Sequence, residues 1–386
     1  MFTFQGAKYI NLYSLFDLKY ALIISINILN LILLNKISIN FSKKLINWYS
    51  VNKRSLPWRN TKDSYKIWLS EIILQQTRVA QGMPYYFKFT EAYPTVKDLA
   101  LAPEEEVLRL WQGLGYYSRA RNLHSCAKYV WHELNGTFPE THKELLLLKG
   151  VGSYTASAIA SFAFGEVKAV VDGNVFRVLA RYFGIETDIA SGKGKKQFEA
   201  LADQLIPADH PGEFNQAMMD FGARHCTPAN PSCDTCPLSS SCFALNNKMV
   251  KDLPVKINKI KIKERHLHYY VIRCGEKWVW KKRSSGDIWE GLFDFPHVEQ
   301  TKENSESEFN LPEAAKTPVK FPKNYRHILS HQKLNAVFSE VEFPEEKIAH
   351  LNEWAENNGF LLVEEEKIEY LAKPKLIVNF LNDQGF

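Results

Sequence analysis

The sequence predicts an all-α domain followed by an α+β domain. Residues 41–250 place apolar side chains at helical spacing in segments punctuated by Gly and Pro, and no stretch there alternates like a half-buried strand. Beyond a Lys-rich bridge at 251–265 (KDLPVKINKIKIKER), the pattern changes to β-rich and alternating runs. Four of the six cysteines fall between Cys226 and Cys242, so the thiols mark one local structure in the first domain. The 386 residues suffice for two or three domains with sizeable cores. Apolar residues make up 45% and charged residues 24%, which excludes wholesale disorder, a collagen-like repeat and a multi-span membrane protein. Six cysteines are too few for a secreted disulfide scaffold.

Residues 1–40 stand apart as an apolar extension of unknown role. Tyr20–Leu34 is an apolar run of about 15 residues, short of the roughly 20 needed to span a bilayer. Lys19 flanks it, but no small-residue cleavage site follows. The weighed alternatives are a targeting or anchoring segment and an upstream extension from a misplaced start. The latter is weakened because no Met lies between Met1 and Met83. No membrane partner is expected. From residue 41, LINWYSVNKR, SYKIWLSEIILQQT, PEEEVLRLWQGLG, ARNLHSCAKYVWHEL, KELLLLKG, YTASAIASFAFG and GNVFRVLARYFG each read as helices. In the 266–386 domain, HLHYYVIRCGEKWVWKKR reads as a hairpin around Cys274–Lys277, and KLNAVFSEVEF as a further strand. EEKIAHLNEWAENNG and KPKLIVNFLND read as helices, and QTKENSESEFNLPEAAKT as a polar, mobile loop. The net charge of +5 is small, but it is uneven. Residues 41–250 carry 24 Lys/Arg against 20 Asp/Glu, whereas residues 251–386 carry 21 against 22.

Three local patterns carry chemistry. Cys226-x6-Cys233-x2-Cys236-x5-Cys242, broken by Pro228, Pro231 and Pro237, cannot lie on one helix face. It can wrap four thiolates around one soft metal centre, and the spacing leaves zinc and an iron–sulfur cluster open. In Gly150-Val151-Gly152 between two helices, the glycines turn backbone N–H groups outward, and with the next helix N-terminus they offer a phosphate cradle. A plain αα-hairpin reads the same way. About twenty residues later Asp172 precedes an apolar helix, either as an N-cap or as a carboxylate held at a cleft, and the two roles are compatible.

Taken together, the G-V-G hairpin, the Asp that follows and the cysteine loop resemble the helix–hairpin–helix DNA glycosylase superfamily. LPWRNTKDSYKIWLSEIILQQTRV (56–79), LWQGLGYYSRARNL (110–123) and VDGNV (171–175) further resemble its adenine-specific MutY family, and the likeness covers residues 41–386. IWEGLFDFP (288–296) and HILSHQKL (327–334) resemble that family's Nudix-like C-terminal domain, which helps recognise 8-oxoguanine. The resemblance implies a 4Fe-4S iron–sulfur cluster on the loop 226–242, with Cys226, Cys233, Cys236 and Cys242 as ligands. Glu71 matches the general acid; a surface Glu on an amphipathic helix is the weaker reading, because Ile72, Ile73 and Leu74 adjoin it. Asp172 matches the second catalytic carboxylate, with Asn174 its neighbour. Tyr154 stands where lyase-type relatives carry a Schiff-base Lys, which implies a monofunctional enzyme. Gln76 and Thr77 match residues that enter the duplex, Leu114 and Tyr116 the wedge beside the damaged guanine, and Gly150 and Gly152 the hairpin that grips DNA. Arg54, Trp58 and Arg59 match residues around the extruded adenine. Gln216 stands where relatives often carry Glu, which puts its role in the base pocket in doubt. Ser330 and His331 match the residues contacting the oxidised base.

These matches imply a cytoplasmic, nucleoid-associated monomer that removes adenine paired with 8-oxoguanine or guanine in double-stranded DNA. Three other readings compete. A glycosylase for mismatched thymine is disfavoured by the Leu-Ser-His loop at 329–331. A non-catalytic iron–sulfur DNA-binding or redox-sensing protein is disfavoured by the presence of both Glu71 and Asp172. A nucleotide hydrolase is disfavoured because no Gly-x5-Glu-x7-Arg-Glu spacing follows Gly291.

Overall fold

The computed structural model describes residues 38–257, 262–300 and 309–386. The apolar run of the N-terminal extension lies outside these residues. The described chain gathers into two compact units, one of 38–62, 140–145 and 152–257, the other of 63–139, 146–151, 262–300 and 309–386. No described helix is long and apolar enough to cross a membrane.

The first unit is helical. Helix α1 (38–52) is followed by a 3₁₀ turn, Pro57–Arg59. The helical face of α1 sends Phe41, Leu45 and Tyr49 into the unit's core. The second unit contributes α2 (Ser64–Leu74), α3 (Val79–Ala92), α4 (Val96–Leu101), α5 (Glu104–Leu110) and α6 (Tyr117–Glu133). Thr95 and Asp98 close a capping box at the start of α4. The first unit resumes with the short α7 (His142–Leu145), α8 (Ser153–Ala163), α9 (Gly173–Phe183), α10 (Gly192–Leu205), α11 (Pro211–Arg224) and α12 (Phe243–Asn246). Val175, Val178 and Leu179 of α9 meet Phe214, Met218 and Phe221 of α11 in the same core as Phe41. The close approach explains Gly222, where a Cβ would sit 2.6 Å from Asn174 Cβ.

The sheet belongs to the second unit. Strands β1 (Lys263–Cys274), β2 (Lys277–Lys282), β3 (Phe293–Asp294), β4 (His297–Gln300), β5 (Val319–Lys320), β6 (Tyr325–Ile328), β7 (Gln332–Glu342) and β8 (Phe360–Glu364) form one mixed sheet. Its main path runs β3-β2-β1-β7-β5, with β4 on β1, β6 on β7 and β8 on β2. The expected hairpin is present, with Cys274 opposite Lys277. Only β1 and β7 pair in parallel, from Lys263↔Gln332 to Arg273↔Glu342. The alternation in β7 buries Leu334, Ala336 and Phe338, and Phe338 stacks on Phe380 at 4.0 Å. Both expected C-terminal helices form, α13 (Ile348–Asn357) and α14 (Lys375–Asp383).

The expected polar loop needs a correction over its described part. Phe309 stacks on Tyr270 at 4.7 Å, and Leu311, Ala314 and Ala315 pack on the same core. Apolar residues spaced among the acidic ones tie this stretch down, and residues 301–308 lie outside the described chain.

Candidate active site

In the first unit the expected carboxylate Asp172 is the N-cap of α9. Its Oδ1 accepts from the amides of Asn174 and Val175, both at 2.8 Å, and Oδ2 accepts from Asn174 Nδ2 at 2.7 Å. Burial raises the carboxyl above its ordinary value, while these hydrogen bonds and Arg177 oppose the rise. Asn174 Oδ1 in turn accepts from Arg177 Nη2 at 2.9 Å. The bonds that start the helix also fix both carboxylate oxygens. Tyr154, on α8, donates its hydroxyl to Met219 Sδ at 3.6 Å.

A cleft of about 580 Å³ opens in the same unit, and Tyr49, Arg54, Arg59 and Gln216 help line it. Both arginines converge on Asp220, which is fully buried. Arg54 Nε reaches Oδ1 at 2.9 Å, and Arg59 Nη1 reaches Oδ2 at 2.7 Å. Burial alone would raise the Asp220 carboxyl, but hydrogen bonds from Arg59 and Arg54 more than offset it and hold it below the ordinary value. Gln216 accepts the Tyr49 hydroxyl at 2.7 Å, and Trp58 is 7% exposed. Asp220 carries no motif signal of its own; its only sequence cue is an acid in the apolar run AMMDFGA.

The four loop thiols share a neighbourhood beside α9. Cys226, Cys236 and Cys242 pack against the unit's core, and 3₁₀ turns at Cys233–Thr235 and Ser239–Ser241 bend the loop. Buried Arg181 points Nη1 at Cys226 Sγ, 3.5 Å away, and donates to Thr227 O and Pro228 O; Arg177 Nε donates to Cys226 O at 2.8 Å. Burial raises Cys236 to about 11, and the negative charge of the neighbouring thiolates adds to the rise. Among the described residues no three His, Cys, Asp or Glu side chains converge as a finished metal cage. Four soft donors with two arginines beside them nonetheless match the chemistry of an anionic thiolate-held centre.

In the second unit Glu71 lies on α2 within a run, Ile67 to Ile73, that is buried throughout; Glu71 itself is 6% exposed. The helix ends at Gln75, and exposed Gln76 adopts φ +54°. Tyr116, 41% exposed at the start of α6, has φ +49°, while Leu114 beside it is buried. Such a backbone is rare outside glycine. One residue that the sequence reading missed links the two turns. Arg119 Nη1 donates to the carbonyls of Ile72 (3.0 Å), Ile73 (3.2 Å) and Gln75 (2.5 Å). Its Nη2 lies 3.5 Å from Thr77 Oγ1 and 3.4 Å from Gly115 O. The guanidinium also lies over the rings of Trp111 and Tyr116. Gly150 has φ +81°, so the hairpin turn needs glycine there, and Gly152 caps α8 with an extended backbone.

Within this unit the GLGYY turn and the Leu-Ser-His loop meet. The Tyr116 and Ser330 hydroxyls are hydrogen-bonded, and a pocket of about 470 Å³ lies between them, lined also by Trp289, His327 and His331. Glu71, Gln76, Thr77, Leu114, Tyr116, Gly150, Ser330 and His331 thus belong to this unit. Arg54, Trp58, Arg59, Gly152, Tyr154, Asp172, Asn174, Gln216 and the four cysteines belong to the other.

Residues 69–208 match the HhH-GPD superfamily of base excision DNA repair proteins, and residues 268–383 match the NUDIX domain. The adenine DNA glycosylase of Buchnera aphidicola subsp. Baizongia pistaciae is 37% identical over 295 residues, covering 75% of this chain and 83% of that protein. The Homo sapiens adenine DNA glycosylase is 48% identical over 213 residues, 53% of this chain and 39% of that protein. Among solved structures, a thermostable thymine-DNA glycosylase superposes with TM-score 0.51 at 32% identity, over 55% of this chain and 98% of that one. With a helical HhH-GPD region, a Nudix-like sheet domain and a relative matched over most of its length, the chain belongs to the MutY family of adenine DNA glycosylases.

Proposed function

We propose that this DNA N-glycosylase removes adenine from duplex DNA where it is mispaired with 8-oxoguanine or guanine, by hydrolysis without strand nicking. The hydrogen bond between Tyr116 and Ser330 at a base-sized pocket carries the mispair assignment, because it joins the expected wedge to the expected reader loop. A pocket with aromatic walls and a few hydroxyl and imidazole groups suits a purine whose extra oxygen and N–H change its hydrogen-bonding edge. In this assignment Ser330 and His331 read the base, Leu114 and Tyr116 form the wedge, and Gln76 and Thr77 enter the duplex.

The reaction must break an N-glycosidic bond whose leaving group, an adenine anion, is poor. Protonation of the base, at N7, makes it leave more readily, and Glu71 is assigned as that acid and then as the group that activates water. Its sheltered place on α2 keeps bulk water from competing for the proton. Asp172 faces the positive charge that develops on the sugar, as stabiliser or transient nucleophile. Its two oxygens are already oriented by α9, so little reorganisation is required during the step. Arg54, Trp58, Arg59 and Gln216 are assigned to the extruded adenine, and Asn174 steadies Asp172. Tyr154 in place of a lysine offers no amine for a Schiff base, which supports the monofunctional reading. Gly150 and Gly152 present backbone N–H groups to a phosphate.

Cys226, Cys233, Cys236 and Cys242 are proposed to hold a 4Fe-4S cluster. A cluster held there would cross-link the loop beside α9, where Arg177 and Arg181 donate to the carbonyls of Cys226, Thr227 and Pro228. The proposal keeps residues 41–250 as the glycosylase domain, 251–265 as a linker and 266–386 as the recognition domain. A cytoplasmic monomer on nucleoid DNA completes the reading. The test is single-turnover base release from duplexes carrying A:8-oxoG, A:G, T:G or A:T. Fastest release from A:8-oxoG is expected; preferred cleavage of T:G, or no release at all, would sink the reading.

A further inference from the structure

The turn from Asp287 to Leu292 forms one wall of the pocket at Tyr116 and Ser330, and it is built unlike an ordinary surface loop. Trp289, at its centre, has φ +64°, a left-handed backbone on a bulky aromatic residue, and its ring is only 8% exposed. Bonds on both sides hold that conformation. Arg283 Nε donates to Ile288 O at 2.9 Å, and Leu292 N donates to Trp289 O at 3.0 Å. From α6, Arg121 Nη1 donates to Glu290 O at 2.6 Å, and its Nη2 reaches Glu290 Oε2 at 3.0 Å.

Beneath the turn lies an ion network in which Arg265, Arg283 and Asp294 are buried while Asp287 and Glu299 reach the surface. Arg265 bridges Asp287 (2.7 Å) and Glu299 (2.6 Å) and also donates to Gln332, which adjoins the reader loop. Arg283 contacts Asp287 and bridges to fully buried Asp294 (2.8 Å), and its guanidinium lies 5.7 Å from the centre of the Trp289 ring. Tyr116 also lines the pocket, and His327 meets Trp289 edge-on at 5.8 Å. A fold that needed only a turn here would not require two arginines and an aspartate out of water beneath one strained tryptophan.

We propose that Trp289 is the apolar wall against which the base opposite the target adenine packs, and that Arg121, Arg265, Arg283 and Asp287 are positioning residues that hold it there. The proposal rests on assigning this pocket to the opposite base, and Ser330 supplies the separate test of that assignment. The full-length chain and its Trp289→Ala, Trp289→Phe, Asp287→Asn and Ser330→Ala variants are to be measured for binding to A:8-oxoG and A:G duplexes and for single-turnover release at saturation. Base–aromatic contact is sensitive to truncation, so Trp289→Ala is expected to weaken A:8-oxoG binding about tenfold, with the saturated rate changed less than about twofold. Trp289→Phe should recover most of the loss, because a smaller ring still offers a face, and Asp287→Asn should weaken binding in the same direction by a smaller factor. Circular dichroism verifies folding, and if the alanine variant is unfolded, Trp289→Leu, which keeps apolar bulk without a ring, takes its place. Unchanged binding by the truncated variant, while Ser330→Ala loses 8-oxoguanine preference, overturns the role of Trp289. If neither variant moves, the pocket assignment fails, and this inference fails with it.

Discussion

Arg119 ties the turn after α2 to the turn before α6. Its Nη1 makes three bonds of 3.2 Å or less to the carbonyls at the end of α2, where no helical N–H remains to satisfy them. Nη1 carries two N–H groups shared among the three carbonyls, so about two bonds to a charged group, at about 2–2.5 kcal/mol each, contribute roughly 4–5 kcal/mol. Burial works against this. It pushes the guanidinium down to about 10, an opposing cost of about 2 kcal/mol once discounted for partial exposure. Arg119→Met should therefore cost about 2–3 kcal/mol locally, which raises the open population of the turns by roughly 30–150-fold. Amide hydrogen exchange over peptides spanning 72–78 and 112–118 reads this directly, and both segments should speed up together. Arg119→Lys should rescue only one segment, since one ammonium cannot reach both. Unchanged protection in both peptides would refute the argument and leave the turns held by their own backbones.

Glu71→Gln should keep duplex binding within about threefold and lose base release by at least about 100-fold, the lower range for removing a general acid; near-normal single-turnover release removes Glu71 from the mechanism. Purified protein should be brown, with about four irons per chain by the Cys₄ precedent, and Cys236→Ser should bleach it; colourless, zinc-loaded protein overturns the cluster. Asp220→Asn should cost about 3–5 kcal/mol in urea unfolding of the first unit, because two arginines then face a neutral group. Since the folded Asp220 carboxyl lies below its unfolded value, its stabilisation is complete above that unfolded value of about 4 and is lost as pH falls through the folded one. A pH titration of the wild-type unfolding midpoint that lacks this acid-side loss relative to Asp220→Asn would contradict the assignment.

Much of this was legible in the residues, and for identifiable reasons. Helix α6 buries Tyr117, Ala120, Leu123, Ala127 and Val130 on one face, and periodicity records that choice, whereas α2, α8 and α9 are buried over runs of consecutive residues. The 274–277 turn and β7 were equally visible, because alternation is a local property. The two- to five-residue strands β3, β5, β6 and β8 were not, since cross-strand partners rather than their own side chains define them. Asp172 and the cysteines announced themselves by spacing. Arg119, Asp220 and Arg265 did not, because an arginine that will be buried against carbonyls looks the same in sequence as one that is solvated. Trp289 was legible as an aromatic but not as a strained one, since φ depends on the bonds around it.

The left-handed backbones at Gln76 and Tyr116 have a kinetic consequence. Under the proposed roles these residues probe DNA, and the conformational entropy of their turns is already spent when the chain folds. These two turns then need no ordering at the moment of encounter. The rate at which successive base pairs can be tested is set by how readily each pair opens, so weakly stacked mispairs are sampled more deeply than sound ones before the protein moves on.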